Sequence, residues 1–113
     1  MRMLVCGGRD FADEALLFAE LDAIPRVDVV ISGCARGADT LGERWAEARG
    51  KSIERFPADW DLHGRAAGPI RNQLMLDEGK PDLVVAFPGG RGTAHMVRIA
   101  TQAGIRVREI SRT

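Results

Sequence analysis

The sequence predicts an α/β fold: a Rossmann-like three-layer sandwich on a parallel sheet of about five strands. Two observations predict it. Short apolar runs alternate with helical patterns along the chain, and the second run, Val27 to Ser32, is continuous and β-branched, as in strands covered on both faces. Strands that alternate with helices are joined by crossovers and lie parallel between two helix layers. We expect the strand order 3-2-1-4-5.

The predicted elements are bounded by residues that start or stop secondary structure. Gly7 interrupts the first strand, Pro25 ends the first helix, and Gly50 ends the second. Pro69 suits the start of the third helix, and Gly104 ends the last one. The predicted strands cover residues 2–6, 27–32, 52–56, 83–87 and 105–110. The predicted helices cover residues 11–23, 37–49, the segment from 69 to the glycine at 79, and 93–103.

The charges of the chain balance, with sixteen Lys and Arg against sixteen Asp and Glu. The molecule as a whole therefore has no field to attract nucleic acid or an anionic membrane, although a local basic pocket is compatible with this balance. No apolar run approaches the ~20 residues of a membrane helix. The N-terminal run meets Gly7 and Gly8 too soon for a signal peptide. We expect one domain, residues 1–113, in the cytoplasm, with no membrane partner; a nucleic-acid partner is disfavoured.

The two cysteines, Cys6 and Cys34, lack the spacing of a metal or redox motif. Each ends an apolar run, where cysteine packs as a small hydrophobe; a redox or metal role is the alternative. A zinc site that adds His95 has no ligand spacing to support it. We therefore predict no metal and no cofactor.

The turns after the first four predicted strands carry glycine or proline. Ligands of such sheets bind beyond the carboxyl ends of the strands, so a ligand site is expected at these turns. Three of the turns also carry an arginine: Arg9, Arg36 and Arg91. The turns read GGRDF (7–11), SGCARGAD (32–39), FPADW (56–60) and FPGGRGT (87–93).

Glycine and arginine in these turns favour an anion site. Glycines let backbone N–H groups approach a ligand, and a helix that begins at Thr93 directs its free N–H groups to the same point. The arginines add donors for phosphate oxygens. The alternative is that the glycines only make tight turns and that Thr93 caps its helix. No P-loop motif is present, and His95 replaces the third glycine of the G-x-G-x-x-G that Gly90 and Gly92 begin, which disfavours an ordinary NAD site.

Several motifs resemble those of known nucleotide-binding proteins. PGGRGT (88–93) resembles the PGGxGT signature of the LOG phosphoribohydrolases, and IRNQLM (70–75) resembles the arginine-bearing helix of that family. SGCARGAD (32–39) resembles an element of the DNA-processing protein DprA. Both groups belong to the SLOG superfamily of Rossmann-like domains for nucleotide ligands. Together with GGRDF, FPADW and GRAAGPIRNQLM, these motifs make the chain similar to the small YspA/YpsA-related SLOG branch.

The resemblance implies a site for a nucleotide or a nucleotide derivative such as an ADP-ribose relative. By motif position, the glycines of PGGRGT and Thr93 would hold phosphate, and Arg71 would correspond to the LOG arginine near the ligand. Asp39 would accept hydrogen bonds from a ribose or orient Arg36; a helix cap is the alternative. The residues assigned to ligand or phosphate are Gly7, Gly8, Arg9, Ser32, Gly33, Arg36, Gly37, Asp39, Arg71, Pro88, Gly89, Gly90, Arg91, Gly92 and Thr93.

One position departs from the LOG pattern. LOG enzymes carry a glutamate for N-glycosidic cleavage three residues after the threonine, and here that residue is Met96. Methionine can neither take a proton nor stabilise an oxocarbenium-like transition state, so whether the chain is an enzyme stays open. The weak catalytic candidates are His95, which titrates near neutrality, and Asp59. A histidine that is solvated or contacts the ligand is the alternative for His95.

Other residues have two interpretations each. Trp60 either stacks on a base or packs against a helix, and Arg65 lies in a loop that either closes over the ligand or is solvated. LOG-like sites lie at dimer interfaces, so the resemblance also implies a homodimer. The residues that form either a self-association face or the core are Met75, Leu76, Met96, Val97 and Ile99.

Three functions compete at this point. The first is a nucleotide-ligand-binding domain, which would act as a sensor if occupancy is passed to a partner. The second is a hydrolase that cleaves a nucleotide. DNA binding by analogy with DprA is disfavoured by the balanced charge and by an aromatic content of 5%. Met96 favours binding over hydrolysis.

Overall fold

The structure is a computed structural model that describes residues 1–111. These residues form a parallel sheet of five strands in the order β3-β2-β1-β4-β5, which confirms the predicted fold class and strand order. The strands are β1 (Arg2–Cys6), β2 (Val29–Ser32), β3 (Ser52–Arg55), β4 (Leu83–Ala86) and β5 (Arg106–Glu109). The helices are α1 (Glu14–Asp22), α2 (Ala38–Ala48), α3 (Trp60–His63), α4 (Ala67–Asp77) and α5 (Arg91–Gln102), with a 3-10 turn at Gly64–Ala66.

Side chains of the central strands alternate between two helix layers. Met3 and Val5 of β1 belong to a buried cluster that includes side chains of α1 and α2, such as Trp45. The neighbours of these strand residues, Leu4 and Cys6, belong to a second cluster with α4 and α5. Because successive residues of a strand face opposite sides, a sheet covered by helices on both faces needs the continuous apolar strands seen in the sequence.

The connectivity creates a crevice between two neighbouring strands. The chain runs outward from β1 through β2 to β3, and then returns across the sheet to β4, which pairs with the other side of β1. The two strands end level with each other, with Cys6 aligned to Ala86. At such a switch point the following turns diverge, which leaves room for a ligand beyond the strand ends.

Two helix starts differ from the predicted ones for local reasons. Helix α1 begins at Glu14, three residues after the predicted start. The Asp13 carboxylate sets this start, because it accepts a hydrogen bond from the Leu16 N–H at 3.1 Å and caps the helix. Helix α4 begins at Ala67, two residues before Pro69. A proline is tolerated in a first turn because the N–H that it lacks has no helical acceptor there.

Two further differences bear on the site. Helix α5 begins at Arg91 rather than Thr93, and its N-cap residue is Gly90, so Thr93 is not the cap. The segment from Trp60, expected as a loop, forms α3 and the 3-10 turn. Asp59 caps α3 by accepting a hydrogen bond from the Leu62 N–H at 3.0 Å.

Five residues were expected to form either a self-association face or the core, and the structure places them in the core. Met75, Leu76 and Met96 are buried, while Val97 and Ile99 are partly buried against the same cluster. The homodimer itself stays a prediction.

The two cysteines differ in their surroundings. Cys6 is buried, as predicted, and burial raises the pKa of its thiol far above the usual value. The prediction for Cys34 was wrong: this residue is exposed, in a turn with a φ of 64°. Within residues 1–111, no helix is both long enough and apolar enough to cross a bilayer.

Candidate functional site

A cleft of about 1100 Å³ opens at the carboxyl ends of β1 and β4. Its floor is made by the turns that follow these two strands, and its walls come from α4, from the N-terminal half of α5 and from Trp60. A cleft of this volume accommodates a nucleotide-sized ligand. Residues at the switch point of the sheet therefore line this cleft.

The first turn is held close to its neighbours by two glycines. A Cβ atom on Gly7 would lie 2.6 Å from the Cβ atom of Ala38, and one on Gly8 would lie 2.9 Å from the Pro88 carbonyl oxygen. The Gly8 N–H donates a hydrogen bond to that same carbonyl at 2.9 Å. The Gly8 N–H is therefore already hydrogen-bonded within the protein. Gly7 and Gly8 line the cleft, and their lack of side chains lets the neighbouring turns pack together.

The N-terminus of α5 is open toward the cleft. The first-turn N–H groups of a helix have no intrahelical acceptor, and within residues 1–111 no side-chain hydrogen bond caps this helix. Cβ atoms on Gly90 and Gly92 would meet no described atom within 4 Å. Packing therefore does not require glycine at these two positions. Gly89 differs, because a Cβ atom there would collide with the Thr93 hydroxyl oxygen.

The charge of the cleft is positive although the chain is neutral. The described lining of the cleft contains two acidic residues, Asp10 and Asp39. The guanidinium of Arg9 lies over the Trp60 ring, 5.5 Å from its centroid, in a cation–π contact. The arginines of the described lining are Arg9, Arg65, Arg71, Arg91 and Arg98.

Helix α5 presents three polar residues on one face toward the cleft. Arg91, His95 and Arg98 follow one another at spacings of four and three residues, which places them along the same side of a helix. None of the ion pairs found within the described residues involves Arg91 or Arg98. Sequence reasoning missed Arg98; its helical spacing from Arg91 was the available signal.

Arg71 of α4 lines the cleft and also contacts the turn after β2. Its guanidinium donates a hydrogen bond from Nη1 to the Gly33 carbonyl and another from Nε to Asn72 Oδ1, at 3.0 Å for the second. The carboxylate of Asp39 faces this guanidinium and accepts a hydrogen bond from the Ala35 N–H at 3.1 Å. Burial raises the pKa of Asp39 to about 6, while Ala35 and Arg71 favour its charged form.

The roles suggested for Asp39 are thereby corrected. Asp39 does not cap α2, whose N-cap residue is Gly37 at a φ of 81°. Nor does it orient Arg36, whose side chain is 76% exposed and lies 3.7 Å from Asp10. Asp39 does line the cleft, so a contact with a ribose stays a prediction.

The rest of the DprA-like element supports the site from outside. Ser32, Gly33, Arg36 and Gly37 are absent from the described lining of the cleft. The Ser32 hydroxyl donates to Glu43 Oε2 at 2.7 Å. A Cβ atom on Gly33 would lie 2.7 Å from Arg71 Nη1, and one on Gly37 would collide with the Gly8 carbonyl oxygen. Ser32, Gly33 and Gly37 therefore fit the β2 turn closely against its neighbours.

Some of the remaining predicted residues line the wall of the cleft, and others lie outside it. Asp59 lies outside this cleft and caps α3. Met96 forms part of the wall but is fully buried in the core cluster shared with α4. Trp60 is 49% exposed and, like Arg65, lines the cleft. Both are positioned by α3 and the 3-10 turn, which the sequence did not predict.

His95 contacts a buried asparagine that sequence reasoning also missed. The Asn72 amide nitrogen lies 3.1 Å from His95 Nδ1 and 3.3 Å from the Gly92 carbonyl oxygen. Partial burial, followed by the positive charge of Arg98, lowers the pKa of His95. Asn72 stands within IRNQLM, next to the arginine that drew attention to that motif.

We predict that Asp39 makes stability depend on pH. Its folded-state pKa of about 6 lies above the ordinary value of 3.8, so the unfolded chain releases this proton first and stability falls as pH rises from about 4 to about 6. Asp39→Asn should remove about 2–3 kcal/mol of that fall. Urea unfolding of both proteins across this pH range is the measurement. Asp61→Asn on the exposed α3 is the control, and equal pH slopes for wild type and Asp39→Asn would contradict the prediction.

The sequence of the chain is similar to a known family and to a known protein. Residues 1–63 match the sequence model of the YspA, cpYpsA-related SLOG family. The chain is also 40% identical over 117 aligned positions to the Gene 61 protein of Mycobacterium phage D29, and the alignment covers 94% of this chain and 93% of that protein. The resemblance drawn from the motifs is confirmed. The chain belongs to the YspA, cpYpsA-related SLOG family.

Proposed function

We propose that the chain binds a nucleotide or a nucleotide derivative of the ADP-ribose type in the cleft between β1 and β4. One observation carries the proposal: the uncapped N-terminus of α5 opens into a cleft lined by arginines in an otherwise neutral protein. A helix N-terminus with free N–H groups and nearby guanidinium groups is suited to phosphate. Membership of a SLOG family suggests the same nucleotide-related binding.

The lining residues offer separate places for the phosphate and for the base of a nucleotide. Phosphate would lie at Gly90 and Gly92, where an added Cβ atom would meet no described atom within 4 Å, with Arg91 as an additional donor. A base would lie near Trp60, whose half-exposed ring carries the Arg9 guanidinium over one face and would offer the other face for stacking. Such a ligand has a phosphate end and a flat apolar end, which is the chemistry of a nucleotide.

The same residues favour binding over cleavage. Met96 occupies the position at which LOG enzymes carry their glutamate, and Asp59 lies outside the cleft as a helix cap. The carboxylates in the described lining are Asp10, which is exposed beside Arg36, and Asp39, which is buried beside Arg71. We therefore propose a binding domain that returns its ligand unchanged.

A thermal-shift screen tests this proposal. The protein is heated with AMP, ADP, ADP-ribose, NAD and a set of nucleoside monophosphates, and each ligand is then analysed by chromatography. A ligand at about 100 times its Kd stabilises the fold by ~2.7 kcal/mol, which raises Tm by several degrees. A shift with intact ligand supports binding without cleavage. Release of free base and ribose phosphate would support the hydrolase, and no shift with any nucleotide would contradict the proposal.

Gly92→Ala should separate ligand binding from stability. Packing does not require glycine at this position in the first turn of α5, so alanine should leave the fold unchanged or more stable by up to about 1 kcal/mol. The added methyl group should obstruct phosphate and weaken nucleotide binding about 10-fold or more. Calorimetric titration and thermal unfolding measure the two effects. Gln102→Ala, at the exposed end of the same helix, is the control. Unchanged affinity in Gly92→Ala would argue against phosphate at this helix.

A further inference from the structure

The side-chain amide of Asn72 is buried between three polar groups on the wall of the cleft. Asn72 is 6% exposed and lies on α4, facing the first turns of α5. Its Oδ1 accepts a hydrogen bond from Arg71 Nε at 3.0 Å. Its Nδ2 lies 3.3 Å from the Gly92 carbonyl oxygen and 3.1 Å from His95 Nδ1. The amide therefore contacts both the cleft arginine and the cleft histidine.

The orientation of this amide is fixed by two of the three contacts. An arginine Nε can only donate, so the amide oxygen must face Arg71. A backbone carbonyl can only accept, so the amide NH₂ must face Gly92. Rotating the amide by half a turn would place two donors together at Arg71 and two acceptors together at Gly92.

The orientation of Asn72 decides the protonation of His95. An amide NH₂ can only donate, so the His95 Nδ1 that lies 3.1 Å from it must carry a lone pair to accept a hydrogen bond. In a neutral imidazole the proton then resides on Nε2. We propose that Asn72, itself oriented by Arg71, is a positioning residue that holds His95 as the neutral Nε2–H tautomer, so that His95 offers the ligand a hydrogen-bond donor.

The charges around the ring agree with a neutral imidazole. Protonation of Nδ1 would place an N–H against the NH₂ group of Asn72, and partial burial and Arg98 of the same helix also lower the pKa of His95. On the facing helix α4, the cation Arg71 donates a hydrogen bond to the oxygen of the same Asn72 amide. With Nδ1 occupied, Nε2 is the ring nitrogen left for a ligand.

This arrangement gives His95 a different role from that of a base. A neutral Nε2–H has no lone pair with which to take a proton from water or from a sugar hydroxyl. It can donate to a phosphate or hydroxyl oxygen of the ligand. The ligand part of the inference rests on the proposed function, whereas the tautomer is a property of the free protein.

Histidine-selective ¹⁵N NMR of the ligand-free protein at pH 7.5 is the test. Long-range ¹H–¹⁵N correlations distinguish the two neutral tautomers, and the chain has a second histidine, His63, as an internal reference. We expect the Nε2–H pattern for His95. The Nδ1–H pattern, or an even mixture, would overturn the inference whether or not nucleotides bind. The wild-type spectrum decides this without any variant.

Asn72→Asp then tests whether Asn72 is the cause. A carboxylate at this position accepts from both Arg71 and His95, so Nδ1 should become protonated and the midpoint of the His95 titration should rise by about 1 pH unit or more. Gln73→Glu adds the same charge one residue away on the exposed side of α4 and should leave the His95 tautomer unchanged. An unchanged tautomer and midpoint in Asn72→Asp would overturn the positioning role.

Titration with ADP-ribose completes the test. Binding should shift the His95 Nε2 resonance while Nδ1 remains an acceptor. If ADP-ribose binds without any change at Nε2, the donor role is wrong. If none of the screened nucleotides binds although the tautomer is found as expected, the proposed function fails and the positioning of His95 stands.

Discussion

Met96→Glu is expected to lower the free energy of unfolding by about 3 kcal/mol or more, without creating a hydrolase. Met96 is fully buried in the cluster formed by α4, α5 and the sheet. A glutamate there loses the methionine packing and places a carboxyl group among apolar side chains. Urea unfolding measures the loss, and chromatography of the nucleotides tests for cleavage.

The pH dependence of this loss identifies its cause. Burial should raise the pKa of the new carboxyl group, so the unfolded state would release its proton first and the stability of Met96→Glu would fall as pH rises above about 4. Met96→Gln, of similar size but without a titrating group, should show no added pH dependence. Met96→Leu should cost less than about 1.5 kcal/mol. A Met96→Glu protein as stable as wild type, or one that releases free base, would show that the position opens to the cleft as in LOG enzymes.

Arg71→Ala is expected to weaken nucleotide binding about 10- to 100-fold and to destabilise the fold by about 1–3 kcal/mol. The guanidinium joins the β2 turn to α4 through Gly33 and Asn72, and it faces the buried carboxylate of Asp39. Its removal takes a positive charge from the cleft and leaves the Gly33 carbonyl and the Asn72 amide oxygen without their donor. Calorimetric titration and urea unfolding measure the two losses.

Arg44→Ala provides the matched control. Arg44 lies on α2, is 62% exposed and is 3.6 Å from Glu14, so its removal should cost less than about 1 kcal/mol and leave affinity unchanged. Arg71→Lys retains the charge but cannot make both of the fixed contacts, so it should recover only part of the affinity. Nucleotide affinity that is equal in Arg71→Ala and wild type would exclude Arg71 from the site.

Much of the fold was predictable because the signals are local or follow from chain connectivity. Continuous apolar strands separated by helical patterns require a parallel sheet with two covered faces, and the handedness of crossovers restricts the strand order. The strand that ends at Cys6 and the one that ends at Ala86 were identified nearly to the residue. The helix starts were less predictable, because a single side chain such as Asp13 can move the first turn.

The site was predicted less completely, because its composition depends on which turns converge. Arg9, Arg71 and Arg91 line one cleft, whereas Arg36 is absent from its described lining and is 76% exposed beside Asp10. Arg9, Arg36 and Arg91 come from strand-end turns that look alike in the sequence, whereas Arg71 comes from a helix. The β2 turn is held by contacts with Arg71 and with the Gly8 carbonyl, and the sequence of the turn alone does not reveal these contacts.

The sequence alone determined the fold class, the order of the strands and the family, since hydrophobic periodicity and turn motifs are properties of the chain itself. The tertiary structure decided which side chains share the cleft and how each is hydrogen-bonded. Asn72 and His95 are 23 residues apart, and nothing in either segment indicates that an amide contacts an imidazole. Contacts between distant segments depend on the packing of helix on helix, and that packing is set by the whole core.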